Sequence, residues 1–338
     1  MPSPATRPRI TSIHPLWAVE GGRITIEGTD LVAANLGLPE VLLASQPARI
    51  VCASRQAVSL LVPSGLLGGH TPVRVGGSLG ETAFVELGVP VATGLHQVDN
   101  PAIDSEGCLY LTYSGARGDR SPVSVFRVRP DGFREPFVSG ITNATSLAFA
   151  PDGRLYVSSR FDGSVYRVES DGSFEVFVSD LGVACGLAFS PDGTLYVGDR
   201  SGTVFRVGRS GDAASFAVLP ASVAAFHLAW GPDDALYVTS PSLSSYDSVY
   251  RVNHKGNVDE ICSSFGRPQG IAFDSKGALY VVEALAGSSG VYRVGSDGQA
   301  TCVLAAGALV GLAFDSAGGL VIASNDTAYR VDVPARPF

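Results

Sequence analysis

The sequence predicts an all-β protein in which a small antiparallel sandwich precedes a six-bladed β-propeller. Three observations lead there. A repeat about 40 residues long runs from about residue 96 onward, and each unit holds four short apolar runs. The composition is rich in turn formers, with 40 glycines and 21 prolines beside 17% charged and 45% hydrophobic residues.

The repeat is carried by two anchors. A dipeptide recurs as Leu109-Tyr110, Leu155-Tyr156, Leu195-Tyr196, Leu236-Tyr237, Leu279-Tyr280 and Leu320-Val321, at spacings of 46, 40, 41, 43 and 41. An aromatic-arginine pair keeps step at Phe126-Arg127, Tyr166-Arg167, Phe205-Arg206, Tyr250-Arg251, Tyr292-Arg293 and Tyr329-Arg330. Turn residues such as Pro191-Asp192-Gly193, Ser201-Gly202 and Ser210-Gly211 divide one unit into four strands. A lone four-stranded sheet cannot bury both faces, so stacked units of this kind form the blades of a propeller. The sixth unit stops near residues 331–333, after three strands, and the apolar segment 87–95 is expected to supply its fourth and so remove an exposed edge.

The first 88 residues lack this period. Their strand-like runs, at 23–27, 40–43, 59–62, 72–75 and 83–86, are broken by glycine and proline, which fits a small sandwich. The expected organisation is a flexible N-terminus at 1–7, the sandwich at 8–86, the propeller at 87–334 and a tail at 335–338. The string Gly76-Gly77-Ser78-Leu79-Gly80 matches a nucleophile elbow, but it falls between strands rather than before a helix and is set aside.

A net charge of −8 with no basic cluster argues against nucleic acid, and no run of 18 apolar residues argues for a membrane span. Five widely spaced cysteines with no Cys-x-x-Cys pair fit neither a zinc knuckle nor a disulfide framework. A soluble, cytoplasmic protein is expected, with no recognisable signal peptide.

The opening Ile10-Thr11-Ser12-Ile13-His14-Pro15, then Gly21-Gly22-Arg23-Ile24-Thr25-Ile26-Glu27-Gly28-Thr29 and Val62-Pro63, resembles the immunoglobulin-like IPT/TIG module. That resemblance implies a spacer or docking role. Strings such as Gly186-Leu187-Ala188-Phe189-Ser190-Pro191-Asp192-Gly193-Thr194-Leu195-Tyr196-Val197 resemble the NHL and gluconolactonase superfamily, which includes senescence-marker-protein-like members. This implies a six-bladed propeller and, in the enzymes, a metal-dependent lactonase.

Aligning the units on Leu-Tyr brings two rings of residues to one mouth of the propeller. The first holds Asp99, Cys185 and Gln269, followed by Asn100, Ser146 and His227; the second holds Tyr113, Asp199, Ser240 and Glu283. Asp99, Asp199 and Glu283 are the candidate metal ligands, for calcium or another divalent cation, because hard cations take oxygen ligands. Asn100, Tyr113, Ser146, Cys185, Ser240 and Gln269 are the candidate ligand-binding residues, and His227 is the candidate for proton transfer. Asp99-Asn100-Pro101 stands where the enzymes of the resembled superfamily have Glu-Gly-Pro, while Cys185 and Gln269 replace an amide and an aspartate of its metal site.

These replacements remove charge and hard oxygen, so binding is favoured over catalysis. The expected function is recognition of a small polar molecule or a protein partner at the propeller mouth, with the IPT/TIG module docking elsewhere. The alternative is a metal-dependent hydrolase of lactones or esters. Structural roles stand beside each functional one: turn bonding for Asp199, packing for His227, and a small buried hydrophobe for Cys185.

Overall fold

The structure, a computed structural model, describes residues 8–32, 37–76 and 81–331. The segments expected as a flexible N-terminus (1–7) and tail (335–338), and residues 77–80 of the glycine-serine string, lie outside the described residues. All regular structure among the described residues is β. Among the described residues no helix is long and apolar enough to cross a membrane.

The N-terminal strands are β1 (Arg9–His14), β2 (Trp17–Ala18), β3 (Arg23–Thr29), β4 (Val41–Leu43), β5 (Gln46–Pro47), β6 (Arg49–Ala53), β7 (Ala57–Leu61), β8 (Gly69–Val75) and β9 (Glu81–Leu87). Alternation along β3 puts Ile24 and Ile26 inward, where they meet Val58, Leu60, Val73 and Val85 in one core.

The repeated units follow β10 (Val89–Ala92). The first is β11 (Ala102–Ile103), β12 (Leu109–Thr112), β13 (Val125–Val128) and β14 (Arg134–Val138). The second is β15 (Ala144–Phe149), β16 (Leu155–Ser159), β17 (Ser164–Val168) and β18 (Phe174–Val178). The third is β19 (Ala184–Phe189), β20 (Leu195–Asp199), β21 (Thr203–Val207) and β22 (Ala213–Val218), and the fourth is β23 (His227–Trp230), β24 (Leu236–Thr239), β25 (Asp247–Val252) and β26 (Val258–Phe265). The fifth is β27 (Pro268–Phe273), β28 (Leu279–Glu283), β29 (Gly290–Val294) and β30 (Ala300–Ala305); the last is β31 (Leu309–Phe314), β32 (Leu320–Ser324) and β33 (Ala328–Val331).

Each of the first four units is an antiparallel four-stranded sheet in sequence order, and the last is completed by β10 against β33. First strands of consecutive sheets lie side by side, and β11 touches both β15 and β31. The tyrosine of the Leu-Tyr anchor fills the space between neighbouring sheets. Tyr110 meets Phe137 and Phe149 edge-on, and Tyr156 meets Phe177 and Phe189 in the same way. The anchor arginines hold carboxylates on adjoining strands and turns: Arg127 with Glu135, Arg167 with Glu175 and Arg251 with Asp233.

The predicted architecture is corrected by the strand pairing. The fold is an all-β assembly of small four-stranded antiparallel sheets, not a self-contained immunoglobulin-like sandwich followed by an independently closed six-bladed propeller. Strand β2 runs parallel to both β30 and β9, so the fifth unit and the N-terminal strands form one nine-stranded sheet, β27-β28-β29-β30-β2-β9-β8-β4-β5. The remaining N-terminal strands form a separate sheet, β1-β3-β7-β6. Sequence periodicity could not reveal this join, because β2 is two residues long. Its neighbourhood explains Gly22: a Cβ there would fall 2.3 Å from the Ala305 carbonyl oxygen.

Candidate functional site

The residues picked out from the sequence divide into three groups. Residues ending the second strands serve as staples for the segment entering their own sheet. Asp199 Oδ1 accepts from Val183 N at 2.8 Å and Oδ2 from the Ser201 hydroxyl. Glu283 accepts from Gly266 N at 2.6 Å, Arg267 N at 2.8 Å and Leu285 N at 2.7 Å, and Ser240 Oγ donates to Pro220 O. Such polar groups are buried because backbone donors and acceptors there need partners.

A second group bridges first strands. Asn100 Nδ2 donates to Ile271 O at 3.0 Å, and its Oδ1 accepts from Leu312 N at 3.0 Å. Ser146 Oγ accepts from Leu187 N, and its own N–H donates to Ser158 Oγ. Tyr113 packs against His96 and Phe126.

The third group converges. Asp99 Oδ1 lies 2.5 Å from His227 Nδ1, and His227 Nε2 lies 3.1 Å from Gln269 Oε1. His227 is 0% exposed, Asp99 2% and Gln269 6%. Gln269 is fixed from behind, since its carbonyl accepts from Thr239 Oγ1. Cys185 lies nearby, and burial pushes its thiol up to about 12, which suits a packed hydrophobe rather than a nucleophile.

The three candidate metal ligands thus serve other partners, and among the described residues no group of three or more His, Cys, Asp or Glu could hold a metal ion. The expected calcium or other divalent-cation site, and with it the metal-dependent lactone or ester hydrolase, is corrected on that ground. Of the candidate ligand-binding residues Asn100, Tyr113, Ser146, Cys185, Ser240 and Gln269, two, Cys185 and Gln269, line one cavity.

That cavity, of about 470 Å³, lies where the first strands begin and carries Arg160, Arg200 and Arg267 on its wall. An adjoining groove of about 550 Å³ shares Arg160, Val183 and Arg200 with it and adds Arg117. These two hollows replace the propeller mouth that the sequence suggested as a site for a partner. No carboxylate lines the 470 Å³ cavity; Asp199 lines the groove, but its oxygens accept from Val183 N and the Ser201 hydroxyl, and among the described residues no carboxylate pairs with Arg117, Arg160, Arg200 or Arg267, in contrast to the anchor arginines.

Arg160 is the distinctive member. It is half-buried, its Nη2 reaches only Gly115 O at 3.4 Å, and its buried Nε has no partner. The Nε atoms of Arg134 and Arg167 also lack a hydrogen bond, but Arg167 is ion-paired with Glu169 and Glu175, and Arg134 donates to Thr93 O and lies over the Phe126 ring. Burial, then the neighbouring charges of Arg117 and Arg200, push the Arg160 pKa down. Arg160, Arg200 and Arg267 stand just off the aligned rings: Arg160 and Arg200 directly follow Ser159 and Asp199, which end the second strands, and Arg267 lies two residues before Gln269.

No protein-family model matches this chain, and no curated protein matches it. Solved structures do. A Bacteroides thetaiotaomicron protein of unknown function is 15% identical, with 98% of this chain and 99% of that one covered at a TM-score of 0.60. An auxiliary nutrient binding protein from Bacteroides ovatus is 13% identical, covering 97% and 98% at 0.57. A gluconolactonase from Xanthomonas campestris is 18% identical, covering 87% and 97% at 0.62. Identities this low establish likeness of fold alone. The membership of the IPT/TIG and NHL or gluconolactonase families expected from short strings is corrected accordingly. Those strings consist of core and turn positions, as where Asp192 Oδ1 accepts from Thr194 N, and a similar fold needs them whatever its family.

Proposed function

We propose that the protein binds small organic anions, with the charge held by Arg160 and assisted by Arg117, Arg200 and Arg267. The observation that carries this reading is Arg160 itself: half-buried, depressed in pKa, beside two further cations, and not ion-paired to a carboxylate, since the nearby Asp199 is bonded to Val183 N and Ser201. Burying a charge without a counter-ion is costly, and a bound carboxylate or phosphate removes that cost through charge-assisted hydrogen bonds. The whole chain carries a net charge of −8, so a cluster of arginines with no ion-paired carboxylate is not a consequence of its composition. The chamber also has the size of small-molecule sites, roughly 300–1,000 Å³. A cytoplasmic location accords with the five free cysteines.

Calorimetric titration with inorganic phosphate, acetate and succinate, with acetamide as the neutral control, tests the reading. Saturable binding of at least one anion, weakened tenfold or more in Arg160→Ala and absent for acetamide, supports it. Equal affinity in Arg160→Ala, or no binding of any anion, overturns it.

A further inference from the structure

The charge in this site is not evenly spread. The groove shares Arg160 and Arg200 with the main chamber and adds Arg117, so cations from the first, second and third units gather there, beside an Asp199 already bonded to Val183 N and Ser201. Beside the polar Gln97, Thr145, Gln269 and Asn325, the chamber has an aliphatic wall: Val98, Val223, Ala224, Ala308, Leu309 and Val310 come from the segments entering the first, fourth and sixth sheets. Val223 is 42% exposed although it is aliphatic and its backbone is fixed, its N–H donating to Pro241 O at 2.9 Å. Arg267, on the fifth unit, is exposed and stays solvated at the chamber's edge.

From this division we infer that the ligand is an amphipathic organic acid, a carboxylate or phosphate ester carrying an apolar body. Its anionic head meets Arg117, Arg160 and Arg200, and its body covers the wall formed by Val223, Ala224 and Val310. The inference rests on the anion-binding reading and adds the class of ligand. A purely inorganic anion would leave the apolar wall in water, whereas a neutral hydrophobe would leave Arg160 buried without a counter-ion. An acid with an apolar body satisfies both surfaces at once.

The test is a homologous series, acetate, butanoate, hexanoate and octanoate, titrated into the full chain, with octanedioate as a competitor design. Each methylene that leaves water is expected to tighten binding about fourfold. Val223→Ser combined with Val310→Ser is expected to flatten that dependence on chain length. Circular dichroism and a thermal melt confirm that the double variant is folded, and Val223→Ser alone, at an exposed position, provides the same readout with less perturbation. A series that is flat in the unmodified protein, or octanedioate binding more tightly than octanoate, overturns the inference while the anion reading stands. No binding by any acid in the series, phosphate included, removes the anion reading and this inference together.

Discussion

His227 Nδ1 lies 2.5 Å from Asp99 Oδ1 with both side chains out of solvent, which joins two points 128 residues apart in the chain. Asp99 stands just before β11, and His227 opens β23, so the contact ties the first repeated unit to the fourth. The same oxygen, Asp99 Oδ1, also accepts from the Asn100 backbone N–H at 2.7 Å. The pair therefore braces the floor of the chamber, with Gln269 as its third member.

Removing one partner leaves the other buried without compensation. Asp99→Ala is expected to cost about 3–5 kcal/mol of unfolding free energy, the range for breaking a buried pair from one side. Asp99→Asn keeps an acceptor for the His227 N–H and is expected to lose less. Urea unfolding of the three proteins measures this, and a loss below 1 kcal/mol for Asp99→Ala would show that the contact does not brace the fold.

Glu283 illustrates why the metal expectation failed. It accepts three backbone N–H groups, from Gly266, Arg267 and Leu285, so its carboxylate is already coordinated by the loop entering β27. Glu283→Ala is expected to lower stability by about 2–3 kcal/mol, as for a lost set of charge-assisted bonds. Added calcium is expected to leave the Tm of both proteins unchanged. A calcium-dependent rise in the unmodified protein that vanishes in Glu283→Ala would restore the carboxylate to a metal.

The two thiols at opposite extremes give a chemical check. Cys185 is buried and pushed up to about 12, whereas exposed Cys52 is lowered, chiefly by the Ser59 hydroxyl. Because the thiolate is the reactive form, iodoacetamide at mildly alkaline pH is expected to label Cys52 well before Cys185. Peptide mass spectrometry of a time course reads the order, and early labelling of Cys185 would mean that the floor of the chamber opens to solvent.

Much of the strand content was legible because it is local and periodic. The Leu-Tyr anchor, the Asp-Gly turns and the aromatic-arginine pairs reappear as inter-sheet aromatics, turn caps and ion pairs. What was not legible is whatever the chain joins across long distances. Two residues, Trp17 and Ala18, merge the N-terminal strands with the fifth unit, and no pattern marks so short a strand. At the site, polarity was mistaken for function. Asp199, Ser240 and Glu283 are polar because they satisfy backbone groups, while the unsatisfied charge belongs to Arg160, one position beyond the aligned ring.

His96 lies close enough to Arg160 to report on it. Its pKa is lowered, first by burial and then by the Arg160 charge. Arg160→Ala removes only the second cause, so the His96 pKa is expected to rise without regaining its usual 6.5. For a base depressed in the folded state, the unfolded chain takes up the proton first. Stability is therefore unaffected well above 6.5 and falls as pH drops below it. An anion bound at Arg160 cancels the repulsion and raises the His96 pKa, so by linkage anion affinity strengthens as pH falls through that same range. Nuclear magnetic resonance titration of the His96 ring, with and without saturating octanoate, measures both shifts. A His96 pKa indifferent to Arg160→Ala and to the ligand would place the bound anion away from Arg160.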